Sequence, residues 1–360
     1  MRIGFDARMI NHSGIGTFIN NFLELLPRTS NHEFVLFGDP ALLCHYPYKV
    51  IPFNKRIYTV SEQIYWPVVS KRGGIQLLHL PHYNIPIFSG KKMIVHIHDI
   101  IHLLFPEYLP NKLAYYYAKY FFNRVVKKAD FIITNSTQTR EDIIRVLNAN
   151  PSKIKVIYYA VSSEFQQYTD TVRNEKIYIL EKYNLPKKYC LYVGNIRLIK
   201  NIPRLIKSFQ KFQKKTGSEY HIVLAGNNFL PEWYIKANTS EKIHFIGKVA
   251  KEDLPAIYNF ATLFLFPSLY EGFGLPVLEA MACGVPVICS EKGSLKEITG
   301  GAAIYIDEKN INGIAEAIED LLENPQKRHE LRKKGFERIK DFNWQSTAKE
   351  ICEVYNQIEE

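Results

Sequence analysis

Residues 267–290, PSLYEGFGLPVLEAMACGVPVICS, confine the fold more tightly than any other stretch. The apolar run ahead of Pro267 reads as a strand, a glycine-bearing turn follows, and Val285 to Cys289 reads as a second, buried strand. Pro276 stands where the first helical residue is expected: its fixed φ suits a helix start and its missing N–H costs nothing there. Gly284 stands just past the helix end, where a left-handed cap is wanted. The helix between them, Pro276 to Cys283, is about two turns long. Two carboxylates bracket its start, Glu271 on the turn and Glu279 eight residues later. Gly272 and Gly274 keep the turn clear of side chains, and a helix N-terminus with open N–H groups suits an anion such as a diphosphate. Carboxylates cannot hold a phosphate, but they accept hydrogen bonds from sugar hydroxyls. On spacing alone the segment is either a site for a sugar joined to a phosphate or an ordinary strand–turn–helix with two solvated glutamates.

Elsewhere the chain repeats this alternation. Ile3 to Phe5 reads as a first strand, followed by the loop NHSGIG and a helix from Thr17 to Leu26, with Phe18, Phe22 and Leu26 on one face. Gly14 and Gly16 fall on the strand-to-helix turn, where a charged group could approach. Further strands are expected at Glu33–Phe37, Leu77–Leu80, Met93–Ile97, Phe131–Thr134 and Ile154–Tyr158. Residues 44–65 are rich in aromatics and show no motif. His98 and Asp99 close the Met93–Ile97 strand, at the end where open α/β sheets place ligand groups. Leu113 to Lys128 is a helix crowded with Tyr115, Tyr116, Tyr117, Tyr120, Phe121 and Phe122. It reads as core-packed, with last-turn lysines that complement its dipole; the alternative is an amphipathic face resting on a membrane.

Alternating strands and helices require a parallel sheet covered on both faces, and 360 residues suffice for two such domains. Ser162 to Asn174 is polar and breaks the alternation, which puts the expected boundaries at 1–170, 171–341 and 342–360. The second half opens with a helix near Glu175–Tyr183. Strands follow at Cys190–Val193, His221–Ala225, Ile243–Ile246 and Ala261–Phe266, with a helix at 311–323; Phe342, Asn343 and Trp344 precede a final amphipathic helix that runs to Ile358.

The formal charge of +10 suggests anionic partners. Residues 1–170 hold 19 Lys/Arg against 12 Asp/Glu, and the remainder 27 against 24, so the excess lies in the first half. Five scattered cysteines fit a reducing compartment. The N-terminus lacks the apolar core of a signal peptide, and a cytoplasmic location is expected.

The run Glu271, Gly272, Phe273, Gly274, Leu275, Pro276, Glu279, Ala280, Gly284, Pro286 and Val287 resembles the E-x7-E motif of glycosyltransferase family 4, whose members are retaining enzymes of the GT-B fold. The strand–loop–helix from Cys190 through Lys200 and Asn201 resembles the family's phosphate-contacting loop. It departs from the usual form in carrying Asn195 directly after Gly194, where the family often has arginine; Arg197 is the candidate replacement. Gly247–Val249 resembles the loop that reads the nucleotide base, and the His98–Asp99 pair and the Gly14–Gly16 pair also have family counterparts. The likeness covers most of the chain, weakly before residue 90 and strongly from 185 to 290.

The resemblance implies two Rossmann-like domains facing a cleft, with the last helix returning to the first domain. It implies transfer of a hexose from a nucleotide diphosphate sugar to a glycan or lipid-linked glycan, with retention, in surface-polysaccharide synthesis. His98, Lys200 and Glu271 are then the catalytic candidates. Gly16, Asn195, Arg197, Val249, Gly272, Phe273, Gly274, Leu275 and Glu279 join Lys200 and Glu271 around the donor. The start GFDAR with GIG and HDII is similar to bacterial mannosyl- and rhamnosyltransferases and inclines the donor toward GDP-mannose. No D-x-D triplet occurs, so neither metal nor other cofactor is expected. The expected partners are the donor, the acceptor and an anionic membrane surface, and no nucleic acid. A nucleotide-sugar epimerase of the same architecture and a non-catalytic partner subunit are the alternative readings.

Overall fold

Short runs of Val, Ile, Leu and Phe, apolar on consecutive residues, form strands buried on both faces, the signature of parallel sheets. The computed structural model describes residues 1–359 and divides the chain into two units, Met1–Tyr159 with Asn343–Glu360, and Ala160–Phe342.

In the first unit a 7-stranded parallel sheet contains β1 (Arg2–Asp6), β2 (Glu33–Gly38), β3 (Lys49–Pro52), β4 (Leu77–Leu80), β5 (Lys92–His96), β6 (Phe131–Thr134) and β7 (Ile154–Val156). Their spatial order is β3-β2-β1-β4-β5-β6-β7, and Ile3 pairs with both Phe34 and Leu77. The second unit holds β8 (Tyr189–Val193), β9 (His221–Ala225), β10 (Ile243–Gly247), β11 (Leu263–Phe266), β12 (Val287–Ser290) and β13 (Ala303–Ile306) in a 6-stranded parallel sheet of order β10-β9-β8-β11-β12-β13. In both sheets the order turns back beside the first strand, between β1 and β4 and between β8 and β11.

Helices bury their periodic faces on these sheets. Leu205, Ile206, Phe209 and Phe212 of the Ile202–Thr216 helix are all buried, as are Phe18, Phe22 and Leu26 of the Ser13–Thr29 helix. The short helix of the opening motif runs from Leu275 to Ala282, so Pro276 is its second residue. It ends in a Schellman motif: Gly284, at φ 72°, donates to Met281 O at 3.0 Å, and Val285 donates to Ala280 O at 2.8 Å.

Two expected elements change and two others went unpredicted. The first helix starts at Ser13, so Gly14 and Gly16 lie inside it and not on the turn before it. The aromatic stretch 44–65 contains β3 and the start of a Val60–Gly73 helix. The helix expected near Glu175–Tyr183 is two short ones, Asp170–Glu175 and Tyr178–Lys182. A Pro325–Ile339 helix, whose weakly apolar face hid it, precedes the last one. The polar segment 162–174 also sits wholly within the second unit, so the division falls after Tyr159, ahead of the boundary expected at 170. Asn259 holds it there, donating to Gln166 O at 3.0 Å and accepting from Tyr168 N at 2.7 Å, and Arg173 donates to Asn259 O at 2.9 Å. Phe342 likewise stays with the second unit, under the Arg338 guanidinium and 6.0 Å from the Phe273 ring. The C-terminal helix Trp344–Glu359 packs on the first unit, where Thr347 Oγ1 donates to Tyr158 O at 2.7 Å.

Candidate active site

Where strand order reverses, the loops leaving the two central strands diverge and open a crevice at their carboxyl ends. In the second unit those loops follow β8 and β11, and they carry Lys200 and Glu271. Lys200 Nζ lies 2.6 Å from Glu271 Oε1, across 71 residues of sequence. Both side chains are partly exposed.

The backbone around the pair is stitched from several directions. Lys200 closes a 3-10 turn, Leu198–Lys200, and buried Asn201 follows in the left-handed region at φ 61°, which asparagine tolerates better than most residues. Asn201 Nδ2 donates to Pro267 O at 3.1 Å and to Glu308 O at 2.6 Å, and Leu269 N donates to Ile199 O at 2.9 Å. These bonds join the β8 loop to the β11 loop and to the segment after β13. On the other side Gly293, at φ 63°, lies so close that a Cβ there would sit 2.2 Å from Glu271 O. Ser294 N donates to Glu271 O at 3.0 Å, and Ser294 Oγ donates to Phe273 O at 2.9 Å. Gly274 caps the helix start at φ 98°, and a Cβ on it would meet Leu295 Cδ2 at 2.7 Å. Gly272, Phe273 and Leu275 complete this turn.

Glu279 projects from that helix onto Tyr258, whose hydroxyl donates to Oε2 at 2.8 Å. Burial pushes its carboxyl up to about 7 against the pull of that hydrogen bond. Asn195 O accepts from Tyr192 Oη at 3.1 Å. Arg197 is exposed and stacks its guanidinium 4.0 Å from the Phe229 ring centroid. Val249 lies in the loop after β10, where Gly247 O accepts from Gly226 N at 2.7 Å.

In the first unit, His98 follows β5. Its Nε2 lies 2.8 Å from Pro81 O and its Nδ1 3.2 Å from Tyr159 Oη. Burial lowers its pKa, opposed by the bond to Pro81. Gly16 is buried in the first helix, where a Cβ would approach Ile10 O to 2.3 Å. Its lack of a side chain is therefore required by packing of the preceding loop.

Two family descriptions match this chain: "Glycosyltransferase Family 4" over residues 12–165 and "Glycosyl transferases group 1" over residues 176–338. The O-antigen chain mannosyltransferase B of Escherichia coli is 32% identical over 285 residues, covering 78% of this chain and 74% of that protein. This chain belongs to glycosyltransferase family 4. The serotype-specific mannosyltransferase WbdA of Escherichia coli is 29% identical over 298 residues, 78% of this chain, but the match spans only 34% of WbdA's length. A crystal structure of Anabaena Alr3699/HepE in complex with UDP and glucose superposes with TM-score 0.79 at 18% identity, covering 99% of this chain and 100% of that one. That likeness establishes the GT-B fold.

For this family 4 glycosyltransferase, the structure brings Lys200 and Glu271 together and puts Gly272, Phe273, Gly274, Leu275 and Glu279 on one turn and helix. Arg197 points to Phe229 and makes no ion pair with Glu271. Three residues that shape the site went unread in the sequence: Tyr258, Gly293 and Ser294. The GS pair, separated from a strand by two residues, was the available signal for the last two; a lone tyrosine offers none.

Proposed function

We propose that the enzyme transfers a hexose from a nucleotide diphosphate sugar, GDP-mannose foremost, to a glycan or lipid-linked glycan acceptor, with retention, in surface-polysaccharide synthesis. The observation that carries this reading is the Lys200–Glu271 pair at the β8/β11 reversal. A non-catalytic subunit has no need of such a pair. The mannose assignment draws on the likeness to O-antigen chain mannosyltransferase B.

In this reading the bond from the anomeric carbon to the diphosphate oxygen breaks as the acceptor oxygen bonds to the same face of that carbon. The acceptor's proton passes to the departing phosphate oxygen. Negative charge grows on the diphosphate, and catalysis consists mainly of stabilising it with donors already in position. Lys200 and the amides around Gly274 and Leu275 supply those donors. Glu271 accepts from sugar hydroxyls and Glu279 from the ribose, while Asn195, Arg197 and Val249 flank the nucleotide. Gly16 and His98, which lie in the first unit, are assigned to the reaction by the family resemblance. No metal takes part.

The acceptor is anionic and reached at a membrane surface on the cytoplasmic side. The Lys112–Lys128 helix buries Ala118, Phe121, Phe122 and Val125 but exposes Leu113, Tyr116 and Tyr120, and the Val60–Gly73 helix exposes Val60, Ile64 and Val68. A cavity of about 570 Å³ has Lys91, Arg124 and Lys128 in its lining with Phe88. Apolar side chains beside cations suit anionic lipid. No described helix is long and apolar enough to cross a bilayer.

A panel of nucleotide sugars tests the reading by thermal shift and by turnover with glycan acceptors in excess EDTA. GDP-mannose is expected to stabilise the protein and to be consumed without added metal. Turnover that requires magnesium or manganese would overturn the metal-free reading, and product formed without any acceptor would point to an epimerase. Sedimentation with anionic but not neutral vesicles, lost at high salt, is the expected membrane result.

A further inference from the structure

Beneath His98 runs a continuous line of buried polar side chains contributed by β4, β5, the segment after β7 and the C-terminal helix. Tyr355 Oη lies 2.5 Å from His79 Nδ1, and His79 Nε2 lies 2.7 Å from His96 Nε2. His96 Nδ1 lies 2.8 Å from Tyr159 Oη, which lies 3.2 Å from His98 Nδ1. His98 Nε2 lies 2.8 Å from Pro81 O. His79, His96 and Tyr355 are fully buried, with Tyr159 nearly so. Phe18 packs 4.6 Å from the His96 ring and 4.9 Å from the Tyr159 ring, closing one side.

One end of this line sets every proton in it. Pro81 O only accepts, so His98 carries its hydrogen on Nε2 and offers a lone pair at Nδ1. Tyr159 therefore donates to His98, and its oxygen is left to accept from His96 Nδ1–H. His96 Nε2 is then an acceptor, so His79 donates from Nε2 and accepts at Nδ1 from Tyr355. The rings must be neutral for this order to hold. Burial supplies that condition: it pulls His79 down to about 3 and His96 and His98 below the ordinary imidazole value, while raising both tyrosines.

We infer that Tyr159, His96, His79 and Tyr355 are positioning residues that hold His98 as a neutral, Nε2-protonated ring of fixed orientation. The C-terminal helix is thereby part of the catalytic framework through Tyr355. The inference rests on His98 serving the transfer reaction. A ring whose nitrogens are already committed neither rotates nor takes up a proton as substrate arrives, which is the preorganisation that transfer through a charged transition state requires. A chain of bonds also polarises its members, so the line acts as a unit.

Histidine-¹⁵N-labelled full-length protein tests this directly, because imidazole nitrogen shifts distinguish tautomers without any substrate. Protons on His98 Nε2, His96 Nδ1 and His79 Nε2 are expected; the opposite tautomer at His96, or a charged ring at neutral pH, would overturn the relay. Tyr159→Phe is expected to release the His96 tautomer and to lower kcat about tenfold with donor KM nearly unchanged. Wild-type kcat in a folded Tyr159→Phe protein would overturn the positioning role. Should that variant fail to fold, Tyr355→Phe cuts the far end, with a moved His79 Nδ1 resonance and a smaller fall in kcat expected; no change in either counts against the inference. Ordered tautomers in a protein that consumes no nucleotide sugar would sink the transferase reading and leave the relay standing.

Discussion

The two sheets weave their strands alike and reverse order at the same place, yet they treat charge there in opposite ways. At the β1/β4 reversal, Arg8 Nη2 lies 2.7 Å from both Asp6 Oδ2 and Glu62 Oε1. Asp6 Oδ2 also meets His82 Nε2 at 2.9 Å, and Glu62 Oε2 accepts from Asn84 Nδ2 at 2.6 Å and Tyr58 N at 2.9 Å. The guanidinium is roofed by Phe53 and Trp66, at 4.2 and 5.0 Å from their ring centroids. All these charged groups are buried. At the β8/β11 reversal, by contrast, Lys200 gives one of an ammonium's three donors to Glu271, and the pair keeps 21% and 11% of its side-chain surface in solvent. A saturated, dry cluster has nothing left to offer a ligand. A single wet contact can be exchanged for one. Under the proposed function, the difference separates charge that builds a fold from charge that works on a substrate.

Breaking the dry cluster has the largest expected effect. Burial alone would push Asp6 up; Arg8 beside it, with hydrogen bonds from Arg8 and His82, holds its carboxyl far below the ordinary range. Arg8→Ala leaves two carboxylates buried without their cation. Removing one partner of such a group costs about 3–5 kcal/mol, which urea titration of the variant should show as a lowered midpoint. Because Asp6 is depressed in the folded state, its contribution is full above the unfolded carboxylate value. It is lost only as pH falls through the depressed one, so Arg8→Ala should also unfold at a higher pH than wild type. A loss below about 1 kcal/mol would erase the contrast drawn here.

The wet pair predicts the reverse pattern. Lys200→Ala should lower turnover about a hundred- to thousand-fold, the usual result of deleting one preorganised donor. Its stability should stay within about 1 kcal/mol of wild type, because both side chains reach solvent and Glu271 left alone can be hydrated. Near-normal kcat, or a stability loss like that of Arg8→Ala, would make Lys200 a structural residue after all.

The same contrast explains what was legible in the sequence. The second unit's site lies within short loops, so Glu271, Gly274, Pro276, Glu279 and Gly284 appear in one run, and the turn they predict is the turn observed. Lys200 was readable as the end of a separate loop, but its 2.6 Å approach to Glu271 was not. That contact depends on β11 returning to the side of β8, which no local pattern records. The dry cluster is harder still. Asp6 and Arg8 follow β1 visibly, but Glu62 sits in an aromatic stretch where Trp66 and Pro67 blur the helical period. His79 and His96 each look like a polar lapse in an apolar strand, and only strand adjacency shows them as partners. Arg197 illustrates a different limit: its place near a phosphate loop was legible as a candidate substitute for the family's arginine, but its stacking on Phe229 was not.

Glu279 offers the finest test, because it belongs to the wet site yet is partly buried. Its carboxyl is raised from 4.5 to about 7, chiefly by burial, with Tyr258 opposing. A carboxyl raised on folding holds its proton more tightly in the folded protein. The stability this provides is complete below the unfolded value near 4.5 and is lost as pH rises through 7. At pH 8 the ionised group therefore costs about 1–3 kcal/mol, less than full desolvation because part of the side chain meets solvent. Glu279→Gln keeps an oxygen for the Tyr258 hydroxyl and removes the charge. The variant should be more stable than wild type at pH 8 and about equal at pH 4, as chemical denaturation at the two values would show. Donor affinity should move the other way. Under the proposed function an ionised Glu279 accepts from ribose hydroxyls, so wild-type affinity should rise as pH passes through 7, whereas the glutamine variant should bind about tenfold more weakly at pH 8 with a flat profile. Equal stability at pH 8 would mean that this carboxylate costs the fold nothing, and a pH-independent wild-type affinity would remove Glu279 from the donor site. Gained stability together with lost affinity would mark Glu279 as charge kept for the substrate, the counterpart of Arg8 in the first unit.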